Sequence, residues 1–135
     1  MELKELENKL RLRRYEAYKV FKSNLNGSRN LQPSVIQNIE DGNNYNFNTL
    51  LKYITALNLK LCANEMYIKE PKDLGMSIKK FRKDKNLTQF QVLMICNFEP
   101  SKMVRLERGQ CTRNSLETLM NHFPDFKLEI KEIYE

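Results

Sequence analysis

The chain has 135 residues, of which 41% are hydrophobic and 30% are charged, which fits one helical domain or two small ones. It contains no apolar run of membrane-spanning length, and its start, MELKELENKL, is too polar for a signal peptide, so we expect a cytoplasmic protein without a membrane partner. The net charge of +6 favours a polyanionic partner.

The first predicted element is a helix from Glu2 to about Phe21, with Leu3, Leu6 and Leu10 on its inner face. Its four central basic residues fit a solvated face as well as contacts with phosphates; they are Lys9, Arg11, Arg13 and Arg14. A loose turn at 24–30 and a short helix, SVIQNIED, follow. Residues 57–61 then alternate between apolar and polar side chains, which predicts a half-buried strand.

In the second half, Leu74, Ile78 and Phe81 recur at helical spacing and predict a short helix, SIKKFRKDK, that ends at Asn86. Thr88 is suited to cap a second helix, Gln89 to Cys96, with Gln91 in the capping-box position. The remaining apolar residues of this helix are so widely distributed that we expect it to be mostly buried; they include Phe90, Val92, Leu93 and Ile95.

Asn97 suits a left-handed turn, and Pro100 or Ser101 opens a third helix that Gly109 ends. Met103 and Leu106 point inward in this helix. A fourth helix follows with Leu116, Leu119, Met120 and Phe123 on one face, and Pro124 ends it. Residues 126–130 alternate in the same way as 57–61 and predict a second strand.

Nine basic residues lie between Met76 and Arg113, against only three acidic ones. Helices around a tight turn, with this basic surplus, are typical of a DNA-binding helix-turn-helix. The string LTQFQVLMICNFEPSKMVRLERG resembles the Cro/repressor-type (Xre family) helix-turn-helix, and SLETLMNHF resembles the family's fourth helix. The chain departs from that pattern at Leu93, where the family usually has Ala, and at Asn97, where it usually has Gly.

The first half holds a degenerate second copy of this motif. QPSVIQNIEDG parallels EPSKMVRLERG, with Glu40 and Glu107 67 positions apart (107 − 40), and NTLLKYITALNLKL parallels ETLMNHFPDFKLEI. We therefore predict a mainly α fold of two helix-turn-helix-like halves, 1–69 and 70–135, related by a pseudo-twofold axis. The two terminal strands should pair as an antiparallel ribbon, within one chain or between two, as strands do across a dimer in some antitoxin-type repressors of this family.

The first copy has Gln37 and Asn38 on its would-be recognition helix but no Lys or Arg, which favours a scaffold or dimerisation role. A weak direct role on adenine edges stays open, because amides pair with adenine. For the whole protein we favour a homodimer over an intramolecular pseudo-dimer, since two half-sites give the affinity that one motif lacks.

The resemblance implies that residues 101–108 lie in the major groove of double-stranded DNA. Ser101, Lys102 and Arg105 are then the expected base or near-base contacts, while Gln89 and Thr88 hold a phosphate and brace that helix. Glu107 is expected to support the recognition-helix region. Further phosphate contacts, with solvated side chains as the alternative, are expected from Lys79, Arg82, Lys83 and Arg113.

These patterns leave three functions open. A repressor-like DNA-binding regulator comes first, followed by an antitoxin with a toxin partner and by a helix-turn-helix fold that acts as a protein inhibitor or adaptor. An enzyme is the least expected, because the chain has one histidine and neither a phosphate loop nor a nucleophile elbow. Cys62, Cys96 and Cys111 lack zinc-site spacing, so we expect free thiols and no metal or cofactor.

Overall fold

The computed structural model describes residues 2–20 and 31–133, and of residues 17–20 it describes only the backbone. Within these ranges the protein is mainly helical with one small antiparallel sheet, which confirms the predicted fold class. The turn predicted at 24–30 and the helix end predicted at Phe21 lie outside the described residues. The elements are α1 (Leu3–Val20), α2 (Pro33–Glu40), α3 (Phe47–Ala56), β1 (Leu59–Ala63), β2 (Met66–Ile68), α4 (Pro71–Asp84), α5 (Gln89–Cys96), α6 (Pro100–Glu107), α7 (Arg113–His122) and β3 (Leu128–Glu132).

Helix α4 begins earlier than the sequence pattern predicted. Pro71 occupies its first turn, where the missing N–H of proline costs no hydrogen bond. A capping box joins Glu70 and Asp73, whose Oδ2 accepts a hydrogen bond from the Glu70 backbone N at 2.9 Å. The helix ends as expected, with Asn86 in left-handed geometry at φ 58°.

The predicted strands do pair antiparallel, and they do so within one chain. Both begin two residues later than predicted, and in the first half Asn58 takes left-handed geometry before β1 starts. The predicted two-stranded ribbon was incomplete, because β2 adds a third strand on the other edge of β1. A two-residue turn, Asn64-Glu65, joins β1 to β2, and both of its residues have positive φ, as tight hairpins require.

A pseudo-twofold axis relates the two halves. β1 and β3 pair so that Leu61 faces Ile130, and each of these residues is the third in its own strand. A second reciprocal contact joins the caps of α3 and α7, Asn46 and Thr112. There the backbone N of Phe47 donates to Cys111 O at 2.9 Å, and the backbone N of Arg113 donates to Tyr45 O at 2.8 Å. Antiparallel pairing of equivalent residues is twofold symmetric, so the axis passes through both contacts.

The hydrophobic core runs through both halves without a break. Leu6 and Leu10 of α1 occupy the positions that Leu74 and Ile78 occupy on α4, and all four side chains are buried. Leu6 and Leu74 are as far apart along the chain as Leu10 and Ile78 are. The repeat therefore extends to the first helix of each half. The two halves therefore share one core rather than folding as two separately packed units.

An arginine–glutamate pair repeats with the same symmetry. In the first half, Arg14 Nε and Nη2 donate to the two carboxylate oxygens of Glu40 at 2.6 and 2.8 Å, and Tyr53 Oη donates to Oε2 at 2.6 Å. Burial tends to raise the pKa of Glu40, but these hydrogen bonds and the charge of Arg14 outweigh it. The pKa of Glu40 therefore lies below its ordinary value of 4.5.

This lowered pKa makes stability depend on pH. A carboxyl group whose pKa is lower in the folded than in the unfolded chain stabilises the fold above its unfolded value, and the contribution disappears as pH falls through the folded value. We expect Glu40→Gln to lower the free energy of unfolding at neutral pH, and the gap to wild type to narrow as pH falls below 4.5. Urea denaturation from neutral pH to below pH 4.5 measures the difference in the free energy of unfolding between wild type and Glu40→Gln. Glu16→Gln, at an exposed glutamate, is the control. An equal gap at both ends of the range would contradict the expectation.

Candidate nucleic-acid interface

Helices α5 and α6 form the turn unit that the sequence predicted. Thr88 Oγ1 accepts a hydrogen bond from Gln91 N at 3.1 Å, and Gln91 Oε1 accepts one from Thr88 N at 2.8 Å, which completes the predicted capping box. Asn97 has φ 57° and ψ 42°, so it takes the left-handed geometry expected at the turn. Pro100 stands in the first turn of α6, where its ring suits the helix start.

Glu107, at the end of α6, joins three helices. Its carboxylate accepts hydrogen bonds from Arg82 Nε at 2.6 Å and from Gln89 Nε2 at 2.9 Å, and both the Arg82 and Glu107 side chains are largely buried. The Nη1 of Arg82 also donates to Leu87 O at 2.9 Å. The end of α4, the start of α5 and the end of α6 are therefore held together by one ion-pair network, as expected for Glu107 and for the bracing role of Gln89.

This network changes the assignment of Arg82. The sequence pattern predicted a phosphate contact, but the Arg82 guanidinium is occupied by Glu107 and a backbone carbonyl. Taking it out to reach a phosphate would leave a buried carboxylate without its partner, which costs several kcal/mol. Arg82 therefore has a structural role and is not available to a phosphate.

Arg113 requires the same correction. It is only 9% exposed, and its Nε and Nη2 donate to the carboxylate of Glu7 at 2.7 and 3.1 Å. Its Nη1 donates to Glu117, and Tyr45 Oη donates to the same Glu7 carboxylate at 2.8 Å. The hydrogen bonds that Arg113 donates to Glu7, ahead of the charges nearby, raise the pKa of Arg113. Arg113 thus ties α1 to α7 across the two halves and is not available to a phosphate.

The outward side of α6 carries a compact set of exposed residues. Ser101, Val104, Arg105 and Arg108 follow one another at helical spacing on this side, opposite the fully buried Met103 and Leu106. Arg105 Nε donates to Ser101 O at 3.3 Å within the helix. Val104 was not among the residues predicted from the sequence, although its spacing from Ser101 and Arg108 would have placed it on this face.

The expected lysine contacts divide into two kinds. Lys79 and Lys83 are exposed one turn apart on α4, which packs against α6. Lys102 is half-buried, and its Nζ lies 5.6 Å from the centre of the Phe98 ring, within the range of a cation–π interaction. One acidic residue, Glu99, is exposed at the N-cap of α6. On α6 and among the lysines expected to contact DNA, the exposed cations are therefore Arg105, Arg108, Lys79 and Lys83.

Helix α5 is less buried than the sequence predicted. Val92 and Cys96 are buried, but Phe90 is 66% exposed, Met94 is 63% exposed and Ile95 is also exposed. The helix is apolar on nearly every side, whereas its neighbours cover only one side of it. The expectation of a mostly buried helix was therefore wrong. The exposed apolar residues of this helix, Phe90, Met94 and Ile95, form the α5 apolar face.

The three cysteines are free and buried, which confirms the sequence interpretation. Burial raises the pKa of Cys96 to about 11 and that of Cys111 to about 12, so both thiols stay protonated at neutral pH. In the ranges 2–20 and 31–133, His, Cys, Asp and Glu side chains form no group of three that could hold a metal ion. Nor does any helix there have the length and apolar character needed to cross a bilayer.

A comparison of the chain with protein-family models, curated protein sequences and solved structures finds no match. Function is therefore inferred below from the geometry and chemistry of the residues themselves.

Gly75 allows α4 and α6 to approach each other closely. A Cβ atom at Gly75 would lie 2.5 Å from Glu107 O and 2.6 Å from Gly109 N, and backbone atoms cannot move aside as a side chain can. Alanine normally stabilises a helix interior relative to glycine by about 1 kcal/mol. Here the clash outweighs this gain, because overpacking typically costs about 1–3 kcal/mol.

We therefore expect Gly75→Ala to destabilise the protein and to shift α6 away from α4. The neighbouring Met76→Ala, at a residue that is 57% exposed, serves as the control and should change the free energy of unfolding little. Urea denaturation of both variants measures the effect. A Gly75→Ala variant as stable as wild type would show that the helix contact is looser than described.

Proposed function

We propose that the protein is a sequence-specific binder of double-stranded DNA, a transcriptional regulator of the repressor kind, which reads the major groove with α6. The observation that carries this proposal is the outer face of α6, with Ser101, Val104, Arg105 and Arg108 exposed on a helix that Glu107 fixes to its neighbours. The resemblance of residues 87–109 to the Cro/repressor-type helix-turn-helix supports it. A role on DNA agrees with the cytoplasmic location expected from the sequence.

The residue types on this face suit the edges of base pairs. Arginine donates two hydrogen bonds to the O6 and N7 of guanine, serine pairs with several bases, and an apolar side chain packs against the methyl group of thymine. Arg105 is the proposed guanine contact, and Val104 the proposed thymine contact. Lys79 and Lys83 then attract phosphates of the DNA without reading its sequence. Thr88 caps the start of α5, whose first backbone N–H groups are proposed to approach the same sugar–phosphate backbone.

The proposal predicts different effects for Arg105 and Lys83. Arg105→Ala should cost about 1–3 kcal/mol on the preferred duplex and relax one base position, because a base contact carries sequence information. Lys83→Ala should weaken all duplexes alike and reduce the slope of log affinity against log salt by about one, because a phosphate contact releases a counterion. The measurement is a titration against selected and scrambled duplexes at several salt concentrations.

Lys52→Ala is the matched control for Lys83→Ala, because Lys52 is an exposed lysine on α3, outside the proposed interface. Its salt slope should equal that of wild type. If wild type binds neither the selected nor the scrambled duplex at low salt, the DNA proposal is wrong.

A second candidate function is that of a protein-binding adaptor or antitoxin, and the α5 apolar face favours it. Phe90 and Met94 are large side chains one turn apart, and both are more than half exposed. A contiguous apolar patch on a soluble protein often marks an interface with another protein. This face lies on a different helix from the outer face of α6.

Two methionines test whether the α5 apolar face is covered in solution. Met103 is fully buried, and Met103→Ala should cost about 2–5 kcal/mol because it leaves a cavity. Met94 is 63% exposed, and Met94→Ala should change the free energy of unfolding by less than about 0.5 kcal/mol. Urea denaturation of the purified protein at two concentrations measures both. A large, concentration-dependent loss for Met94→Ala would show that copies of the chain cover this face themselves.

A further inference from the structure

We infer that one chain binds an asymmetric, two-part duplex site, with α6 on one part and α2 on a second part that contains A·T pairs. This inference rests on the proposed function and adds to it the kind of site that is recognised. It goes beyond the scaffold role that the sequence favoured for the first half.

In the first half, α2 occupies the position that α6 occupies in the second half. The sequence alignment of the two helices pairs Ile39 with Leu106, and both side chains are fully buried. Each helix also ends at the glutamate of the repeated ion pair, Glu40 or Glu107. Because their inner faces are held in the same way, the outer faces of the two helices correspond as well.

The outer face of α2 carries hydroxyl and amide side chains. Ser34 matches Ser101, Gln37 matches Val104 and Asn38 matches Arg105, and all three residues on α2 are exposed. The side-chain amides of glutamine and asparagine can each donate to N7 and accept from N6 of adenine, which no hydrocarbon or guanidinium does. The matched faces thus offer different base preferences, adenine on α2 and guanine or thymine on α6.

The amides of α2 have local partners in the free protein. Gln37 Nε2 donates to Asp41 Oδ1 at 2.9 Å, and Asn43 Nδ2 donates to Asn38 Oδ1 at 3.4 Å. Both contacts are at the surface, where water already competes for the same atoms. Replacing them with contacts to a base edge therefore costs less than breaking a buried hydrogen bond would.

A basic residue accompanies α2, as Lys79 accompanies α6. Arg14 and Arg82 make the equivalent ion pairs, and on that alignment Arg11 of α1 matches Lys79 of α4. Arg11 is exposed, and its Nη2 donates to Asn8 within the same helix at 2.8 Å. The first half therefore retains one candidate phosphate contact in a matched position, although α2 itself has no basic residue.

The pairing of the strands bears on how many chains bind one duplex. β1 pairs with β2 on one edge and with β3 on the other, so the strand pairing that would join two copies is completed within a single chain. The reciprocal contact between Asn46 and Thr112 follows shortly after α2 and α6, so the two helices precede this contact at matched places in the chain. One chain thus carries two such helices related by the pseudo-twofold axis, whereas a single-motif repressor needs two copies to present two.

The experiment begins with selection of bound duplexes from a random pool by the wild-type protein. Hydroxyl-radical footprinting then locates the protected segments, and sedimentation gives the stoichiometry. We expect one chain per duplex, two protected segments and no palindrome in the selected sequence. Asn38→Ala and Gln37→Ala should each reduce the preference for adenine by roughly 5- to 150-fold at a position in one segment. Arg105→Ala should relax a position in the other segment.

Asn48→Ala is the control, because Asn48 is an exposed asparagine on α3 outside the face of α2, and it should bind as wild type does. Circular dichroism and thermal melting establish that the variants are folded. A single protected segment, a palindrome bound by two chains, or an unchanged adenine preference in Asn38→Ala and Gln37→Ala would overturn the inference while leaving DNA binding by α6 in place. Absence of binding to any duplex would instead overturn the proposed function itself.

Discussion

The structure depends on an ion pair with a buried glutamate, which occurs twice. In each half an arginine of the first helix binds a glutamate at the end of a shorter helix: Arg14 binds Glu40 of α2, and Arg82 binds Glu107 of α6. Such a pair contributes little net energy compared with apolar packing, but losing one partner is costly because a buried charge remains. The pair therefore acts mainly on geometry: it fixes where α2 and α6 end and which side each of them presents to solvent.

The two halves differ where the pseudo-twofold axis brings them together. Gly75 lets α6 approach α4, whereas the matched position on α1 is Glu7, which binds Arg113 of the other half and Tyr45. At these matched positions, Gly75 allows close helix packing in the second half, and Glu7 forms a polar link across the axis from the first half. This asymmetry explains why α4 and α6 pack closely in the second half, and why α1 is instead linked to the second half through Glu7.

Much of the local structure was predictable, because short-range chemistry specifies it. Thr88 with Gln91 marked the start of α5, Asn97 marked the turn, and alternating residues marked β1 and β3. Strand β2 was not predicted, because three residues are too few to show the alternation of apolar and polar side chains that marks a strand. In addition, the turn between β1 and β2 is Asn64-Glu65 and contains no glycine. Among the candidate site residues, Ser101, Arg105, Lys79 and Lys83 are exposed as their proposed roles require, while Val104 was overlooked.

The sequence by itself determined the order of the helices, their caps and the existence of the repeat, since these follow from neighbouring residues and from matched blocks. The tertiary structure alone decided which cations are free. Arg82 and Arg113 look like surface arginines in the sequence, yet each is bound by a glutamate distant in the chain. It also left Phe90 and Met94 exposed on an apolar helix. The physical reason is the same in both cases: burial and ion pairing depend on long-range neighbours, which periodicity does not reveal.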